Sequence, residues 1–213
     1  MKYKGIIFDL DGVICHTDKY HYKAWKQLAD KLDIYFDEQI NNRLRGVSRM
    51  DSLEIILERY AGAPLSQEEK VQLATEKNEI YKKLLMEMSP KDLSDEVKAT
   101  LESLRKLGLK LAIGSSSRNA RLILSRIGLE DFFDGISDGN NISKSKPDPE
   151  VFLKAAAMVD LKPSECLVIE DAKAGIDAAH NGGMDSAGIG DAAGYPLASY
   201  SLAHFNQITD FLF

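Results

Sequence analysis

Cysteine is scarce in this 213-residue chain: Cys15 and Cys166 are the only two, far apart and without the paired spacing of a metal site. That excludes a disulfide framework and fits a reducing compartment, so a cytoplasmic protein is expected. Positive charge is also short. With 27 Lys and Arg against 33 Asp and Glu, the formal net charge is −6, which argues against nucleic acid or an anionic membrane as the main partner, since both need a basic surface. An anionic ligand would have to be met by a local cluster of cations. No stretch approaches the ~18 apolar residues of a membrane span, and the apolar run in the opening MKYKGIIFDLDG is too short for a signal peptide. Repeats and low-complexity tracts are missing too. What remains, 44% hydrophobic and 28% charged, is the composition of a folded globule long enough for one core, or for a core with a small inserted domain. No long apolar stripe is left over for a partner subunit, and a monomer is expected.

Four short segments rich in Ile, Val, Leu or Ala alternate with helical patterns: GIIF at 5–8, LKLAIG at 109–114, CLVI at 166–169 and SAGIG at 186–190. FFDGIS at 132–137 reads as a short fifth. Strands alternating with helices imply a parallel sheet, hence a doubly wound, Rossmann-like α/β fold. Ser94 is placed to cap a helix that stops at Gly108, and Asp148 with Pro149 opens another. Residues 16–90 break the rhythm, because they read almost wholly as helix and far exceed the dozen or so residues that a βαβ crossover needs. They are expected to form an inserted helical cap, leaving 1–15 and 91–213 as the α/β core. Ser48 opens one cap helix and the capping box Ser66 to Glu69 another, whose apolar stripe is read as Val71, Leu73, Ala74, Ile80, Leu84 and Leu85.

Ligands of an open parallel sheet bind beyond the carboxyl ends of its strands. The first strand ends in Asp9 and Asp11, the second in Ser115, Ser116 and Ser117 followed by Arg118 and Asn119, and CLVI in Glu170 and Asp171; Lys146 stands in the loop SKSKPDPE. Like charges within ~4 to 6 Å push each other's pKa upward, so four carboxylates on one rim call for a cation. An all-oxygen set suits Mg²⁺. Serines at a helix start beside a lysine suit a phosphate, and metal with phosphate indicates phosphoryl transfer. Asp9 is the expected nucleophile and Asp11, two residues on, the expected acid/base.

Each motif has a plainer reading. D-x-D-G could belong to a calcium loop, but Val13 and Ile14 stand where an EF-hand needs Asp or Asn and then Gly. GSSSRN alone reads as a helix N-cap, Lys146 alone as a surface lysine, and Glu170 with Asp171 alone as a helix start favouring negative charge. Their joint placement at strand ends favours function. Cys15 and His16 have no partners arranged for Cys–His catalysis and are read as structural or as supporting the site from behind it.

The ordered set FDLDGV, GSSSRN, SKPDPE and VIEDAKAGIDAA closely resembles the haloacid dehalogenase superfamily of phosphotransferases. The resemblance implies Asp9 as nucleophile, Asp11 as acid/base whose carbonyl also meets Mg²⁺, Ser115 and Lys146 on the transferring phosphate, and Glu170 with Asp171 at the metal. Within the superfamily, HYKAWKQLA and LRGVSRMDSL resemble the cap of the β-phosphoglucomutase family, which interconverts β-glucose 1-phosphate and glucose 6-phosphate through a 1,6-bisphosphate that also serves as primer. That resemblance implies Thr17 at a hinge, His21 and Trp25 facing the sugar, Arg45, Gly46 and Val47 in a substrate loop, and Arg49 on the non-transferring phosphate. Ser52, Lys77 and Asn119 assist, and Ser116, Ser117 and Arg118 complete the phosphate loop. Arg45 stands where lysine is common in that family and Ser116 where alanine is expected. A Mg²⁺-dependent sugar-phosphate phosphatase on the same fold is the alternative.

Overall fold

The computed structural model describes residues 1–44 and 47–213, so Arg45 and Gly46 of the expected substrate loop lie outside the described residues. The chain forms two compact units, Met1–His16 with Met88–Phe213, and Thr17–Glu87. Among the described residues no helix is long and apolar enough to cross a membrane.

The first unit is built on six parallel strands, β1 (Gly5–Phe8), β2 (Lys110–Gly114), β3 (Gly135–Ser137), β4 (Cys166–Glu170), β5 (Asp185–Gly188) and β6 (Tyr200–Ser201), in the order β3-β2-β1-β4-β5-β6. The central strands bury every residue or nearly so, as expected of a sheet covered on both faces. Ile7, Ala112 and Val168 pack on one side against Phe152, Ala155 and Ala178; on the other, Phe8 meets Phe133 and Phe205. Phe8 of β1 pairs with both Ile113 and Ile169. The carboxyl ends of β1, β2 and β4 therefore finish level and adjacent, at the switch point where an open sheet presents its site.

Three sheet details differ from the sequence pattern. β3 begins at Gly135 and not at Phe132, because Asp134 meets β2 with both its amide and its side chain: its N–H donates to Leu111 O and its Oδ2 accepts from Leu111 N, both at 2.8 Å. β5 ends at Gly188, where the chain turns away through Gly190 at φ 58°. β6, only two residues long, is too short for any periodicity to announce it.

The second unit comprises α1 (Asp18–Lys31), α2 (Glu38–Asn42), α3 (Arg49–Leu57) and α4 (Gln67–Leu85). Ser48 and Ser66 cap α3 and α4 as expected, the latter as a reciprocal box with Glu69. The short α2, capped by Asp37 through Ile40 N, was not expected. On α4 the buried positions are Ala74, Lys77, Tyr81 and Leu85, while Val71 is 48% exposed and Leu73, Ile80 and Leu84 are half-buried. A lysine and a tyrosine thus occupy the face that aliphatic spacing assigned to other residues, and the reason lies in their partners, described below. The remaining helices, α5 (Asp95–Lys106), α6 (Ala120–Arg126), α7 (Glu150–Met158) and α8 (Lys173–Asn181), belong to the first unit. Ser94 caps α5 as expected, its hydroxyl accepting from Val97 N.

Candidate active site

Asp9 is the first residue beyond β1, with its amide still bonded to Ile169 O at 2.9 Å, and its side chain is nearly buried. Glu170 ends β4 fully buried and Asp171 follows it. The carboxylate oxygens of these three residues lie within 4.8 Å of one another. Lys146, distant in sequence, places its Nζ 2.5 Å from Asp9 Oδ1 and 2.5 Å from Glu170 Oε1, and sits 4.7 Å from the centre of the Phe152 ring. The side chain of Asp11 is not part of the three-carboxylate group; Asp11 lies in a tight turn, bridged to Cys15, in which Gly12 N donates to Cys15 O at 2.8 Å.

Glycine makes room for the acidic pair. Gly12 has φ 85°, and a Cβ on it would stand 2.0 Å from Asp171 Oδ2; a Cβ on Gly175, in α8, would stand 1.9 Å from the Glu170 carboxylate. Any side chain at either position would displace the carboxylates.

The electrostatics follow from this crowding. Burial pushes Glu170 up to about 6, against the pull of Lys146 and with the push of Asp9. Asp171 is pushed up to about 8, by burial first and then by Asp9 and Glu170. Burial alone would lower the Lys146 ammonium, but Asp9 and Glu170 raise it above its ordinary value, so it stays cationic. One lysine against three carboxylates leaves excess negative charge on an all-oxygen donor set, which fits a hard divalent cation. Cys15 is buried, and burial together with Asp11 and Asp9 raises its thiol, which removes it as a thiolate nucleophile.

These shifts set a pH dependence. Because the folded pKa of both carboxyl groups lies above the unfolded range near ~4, the folded protein holds protons that the unfolded chain has released. The contribution of both groups to stability therefore falls as pH rises through about 6 for Glu170 and about 8 for Asp171. A cation that replaces those protons helps most where they are already gone. Calorimetry with and without chelator is expected to show a larger Mg²⁺-induced rise in Tm at pH 8 than at pH 6; an equal or smaller rise at pH 8 would refute the assignment.

The serine cluster folds as a self-bonded loop. Ser115 Oγ accepts from Ser117 N and Ser117 Oγ from Asn119 N, each at 3.2 Å, while Ser115 N donates to Ser137 O at 3.0 Å. Ser115 and Asn119 are buried, whereas Ser116 and Arg118 are exposed. Asn119 makes no side-chain cap to α6; the cap-like bond of the loop is the one the Ser117 hydroxyl accepts from Asn119 N.

In the helical unit three of the expected residues, His21, Trp25 and Lys77, form a second cluster with Tyr81, which was not expected. Lys77, 2% exposed, lies 2.8 Å from His21 Nδ1 and over the rings of Trp25 and Tyr81 at 4.5 and 4.7 Å. The His21 ring stacks on Tyr81. Burial, then Lys77 and Arg49, holds His21 well below its ordinary pKa. The imidazole is therefore neutral, accepting from the ammonium at Nδ1 and carrying its proton on Nε2. Trp25, expected to face the sugar, is 3% exposed in the helical core, where its ring meets the Lys77 charge. Thr17 and Ser52 are buried, Arg49 opens α3 half-buried, and Val47 is 42% exposed.

Sequence reasoning passed over Gly175 and Phe152, close to the motifs it used, and Tyr81, one helical turn from Lys77. The pairing of a glycine with Glu170 was the one available signal, in EDAKAG.

Residues 3–183 match the haloacid dehalogenase-like hydrolase family. A β-phosphoglucomutase of Bacillus subtilis (strain 168) is 44% identical over 201 residues, covering 93% of this chain and 88% of the relative. A fructose-1-phosphate phosphatase of Escherichia coli (strain K12) is 32% identical over 189 residues, covering 88% and 97%. The crystal structure of a β-phosphoglucomutase from Clostridium difficile superposes with a TM-score of 0.87 at 39% identity, covering 97% of this chain and 93% of that one.

Proposed function

Because the chain belongs to the haloacid dehalogenase-like hydrolase family, we propose that it moves a phosphoryl group through Asp9, and that its reaction is the interconversion of β-glucose 1-phosphate and glucose 6-phosphate. The observation that carries the transfer chemistry is Asp9, Glu170 and Asp171 gathered within 4.8 Å with Lys146 bonded to Asp9. Two mutase relatives at 44% and 39% identity favour the mutase reading over hydrolysis.

Asp9 starts as an acyl phosphate made from β-glucose 1,6-bisphosphate. Asp11 takes the proton of the C6 hydroxyl of β-glucose 1-phosphate as that oxygen bonds to phosphorus and the Asp9–phosphorus bond breaks. The resulting bisphosphate turns end for end. Asp9 then attacks the C1 phosphorus, Asp11 returns its proton to the departing C1 oxygen, and glucose 6-phosphate leaves. Lys146 and Ser115 hold the phosphoryl oxygens. Mg²⁺, held by Asp9, Glu170, Asp171 and the Asp11 carbonyl, would offset the charge on those oxygens. The work is placed in the cytoplasm, in keeping with two free, buried cysteines.

A phosphatase needs to hold only the phosphate it removes. A mutase must also anchor the one that stays, a task assigned to Arg49, whose guanidinium can bind phosphate bidentately. Charged hydrogen bonds are each worth about 1.5 to 3 kcal/mol, so Arg49→Ala is expected to lower mutase kcat/KM by about 10- to 100-fold while changing hydrolysis of a small phosphate ester by less than about threefold. Equal losses in both would contradict this role.

The direct assay supplies β-glucose 1-phosphate, Mg²⁺ and a trace of bisphosphate, and follows glucose 6-phosphate and inorganic phosphate together, with the α anomer as control. Glucose 6-phosphate is the expected product, from the β anomer only. Stoichiometric inorganic phosphate would instead select a sugar-phosphate phosphatase.

A further inference from the structure

The Lys146 loop, between β3 and α7, has no strand or helix of its own to hold it. One carboxylate ties down its first half, while Asp148 N donating to Ser145 O and Asn181 Nδ2 donating to Pro147 O, both at 3.1 Å, hold the rest. Glu150, the first residue of α7, accepts at Oε2 from Ser143 N at 2.9 Å, from the Ser143 hydroxyl at 2.8 Å and from Lys144 N at 2.8 Å. Its Oε1 accepts from Lys154 Nζ at 2.6 Å. Lys154 also donates to the carbonyl of Asn141, and Asn141 Oδ1 accepts from Asp138 N at 3.0 Å and from the Ser137 hydroxyl at 3.2 Å.

That turn in turn grips the serine loop. Ser115 N donates to Ser137 O at 3.0 Å, Gly139 N to Ser117 O at 3.1 Å, and Asn140 Nδ2 to Arg118 O at 2.9 Å. A planar trans peptide points its N–H opposite its C=O. Fixing the carbonyls of Ser117 and Arg118 therefore fixes the directions of the Arg118 and Asn119 amides. One continuous set of hydrogen bonds runs from Lys144, two residues before Lys146, through Glu150, Lys154 and Asn141 to the loop 115–119.

We infer that Glu150 is a positioning residue for phosphoryl transfer that acts through Lys146, holding the backbone before it so that its ammonium stays on Asp9. Glu150 touches none of the reacting groups assigned above. A lysine side chain is long and rotationally free, so its aim depends on where its backbone is held, and small displacements at a reacting centre are costly in rate. The Lys154 ammonium and the amides and hydroxyl of Ser143 and Lys144 hold the Glu150 carboxyl down to about 2, keeping these bonds charge-assisted throughout the working pH range. The plainer reading is a helix N-terminus that favours negative charge; that reading predicts a loss of stability and no link to Lys146.

The inference rests on the phosphoryl-transfer reading and is tested by a double-mutant cycle on turnover of β-glucose 1-phosphate with Mg²⁺. Lys146→Ala is expected to lower kcat about 100-fold and Glu150→Ala about 10-fold with KM little changed, while the double variant stays near the Lys146→Ala value because the second change acts only through the first. Glu150→Gln, which keeps one acceptor oxygen, should recover part of the loss, and it completes the cycle should Glu150→Ala fail to fold. A double variant near the product of the two losses, about 1,000-fold, or a Glu150 variant with wild-type kcat, overturns the inference and leaves the transfer reading standing. A Lys146→Ala protein with undiminished turnover overturns that reading, and the inference with it.

Discussion

Asp9→Asn is expected to lower turnover of β-glucose 1-phosphate by at least ~10⁴-fold, the scale seen when a nucleophile is removed from machinery that acts as a unit. Asparagine has the shape of aspartate, and its Oδ1 can still accept from Lys146, which lies 2.5 Å from that atom. What it lacks is the anionic oxygen that would carry phosphorus. The same change removes one of the charges that push Glu170 and Asp171 upward, while Lys146 keeps Glu170 as an anionic partner at 2.5 Å, so the variant should still fold. Its loss of activity would then be chemical, not a failure to fold. Turnover within about tenfold of wild type, alongside an unchanged melting curve, would rule out Asp9 as nucleophile.

Asp11→Asn is expected to cost about 10³-fold in transfer to the sugar, within the range for general acid–base catalysis, and the loss should be unequal between the two half-reactions. A sugar hydroxyl must shed a proton to attack and a sugar alkoxide must gain one to leave. An acyl phosphate such as acetyl phosphate releases a stabilised carboxylate that needs no proton. Charging of Asp9 by acetyl phosphate should therefore stay within about tenfold of wild type in the Asp11 variant. Rapid-quench measurement of the two half-reactions separates the cases, and equal loss in both would mean that Asp11 serves by charge or geometry and not by moving a proton.

The parts of this site that sequence could place are those whose position follows from local rules. Asp9, Ser115 and Glu170 stand where apolar runs of strand length stop, and an open sheet puts those stops on one edge. The caps Ser48, Ser66 and Ser94 were legible because an N-cap acts over three residues. Contacts between distant segments left no such mark. The 2.5 Å bond of Lys146 to Asp9 spans two loops separated by most of the sheet's sequence, and only the chemistry of phosphate called for it. The face of α4 was legible in part: Ala74 and Leu85 are buried as expected, but Lys77 is buried against aromatic rings and an imidazole, a setting that an aliphatic pattern cannot signal. Glu150 stands just inside the helix that Asp148 and Pro149 were expected to open, and its service to Ser143 and Lys144 depends on how an irregular loop folds back. β6 is two residues whose pairing is decided by β5, not by their own pattern.

The central claim is that phosphorus is carried on a carboxylate oxygen of Asp9. It is tested most directly by quenching the enzyme during turnover with Mg²⁺ and bisphosphate, reducing any acyl phosphate with borohydride, and locating the product by peptide mass spectrometry. Reduction of a phospho-aspartate yields homoserine. The account predicts homoserine at position 9 and at no other aspartate, absent when bisphosphate is omitted; phosphate retained on Ser115 or on His21, with Asp9 unmodified, would contradict it.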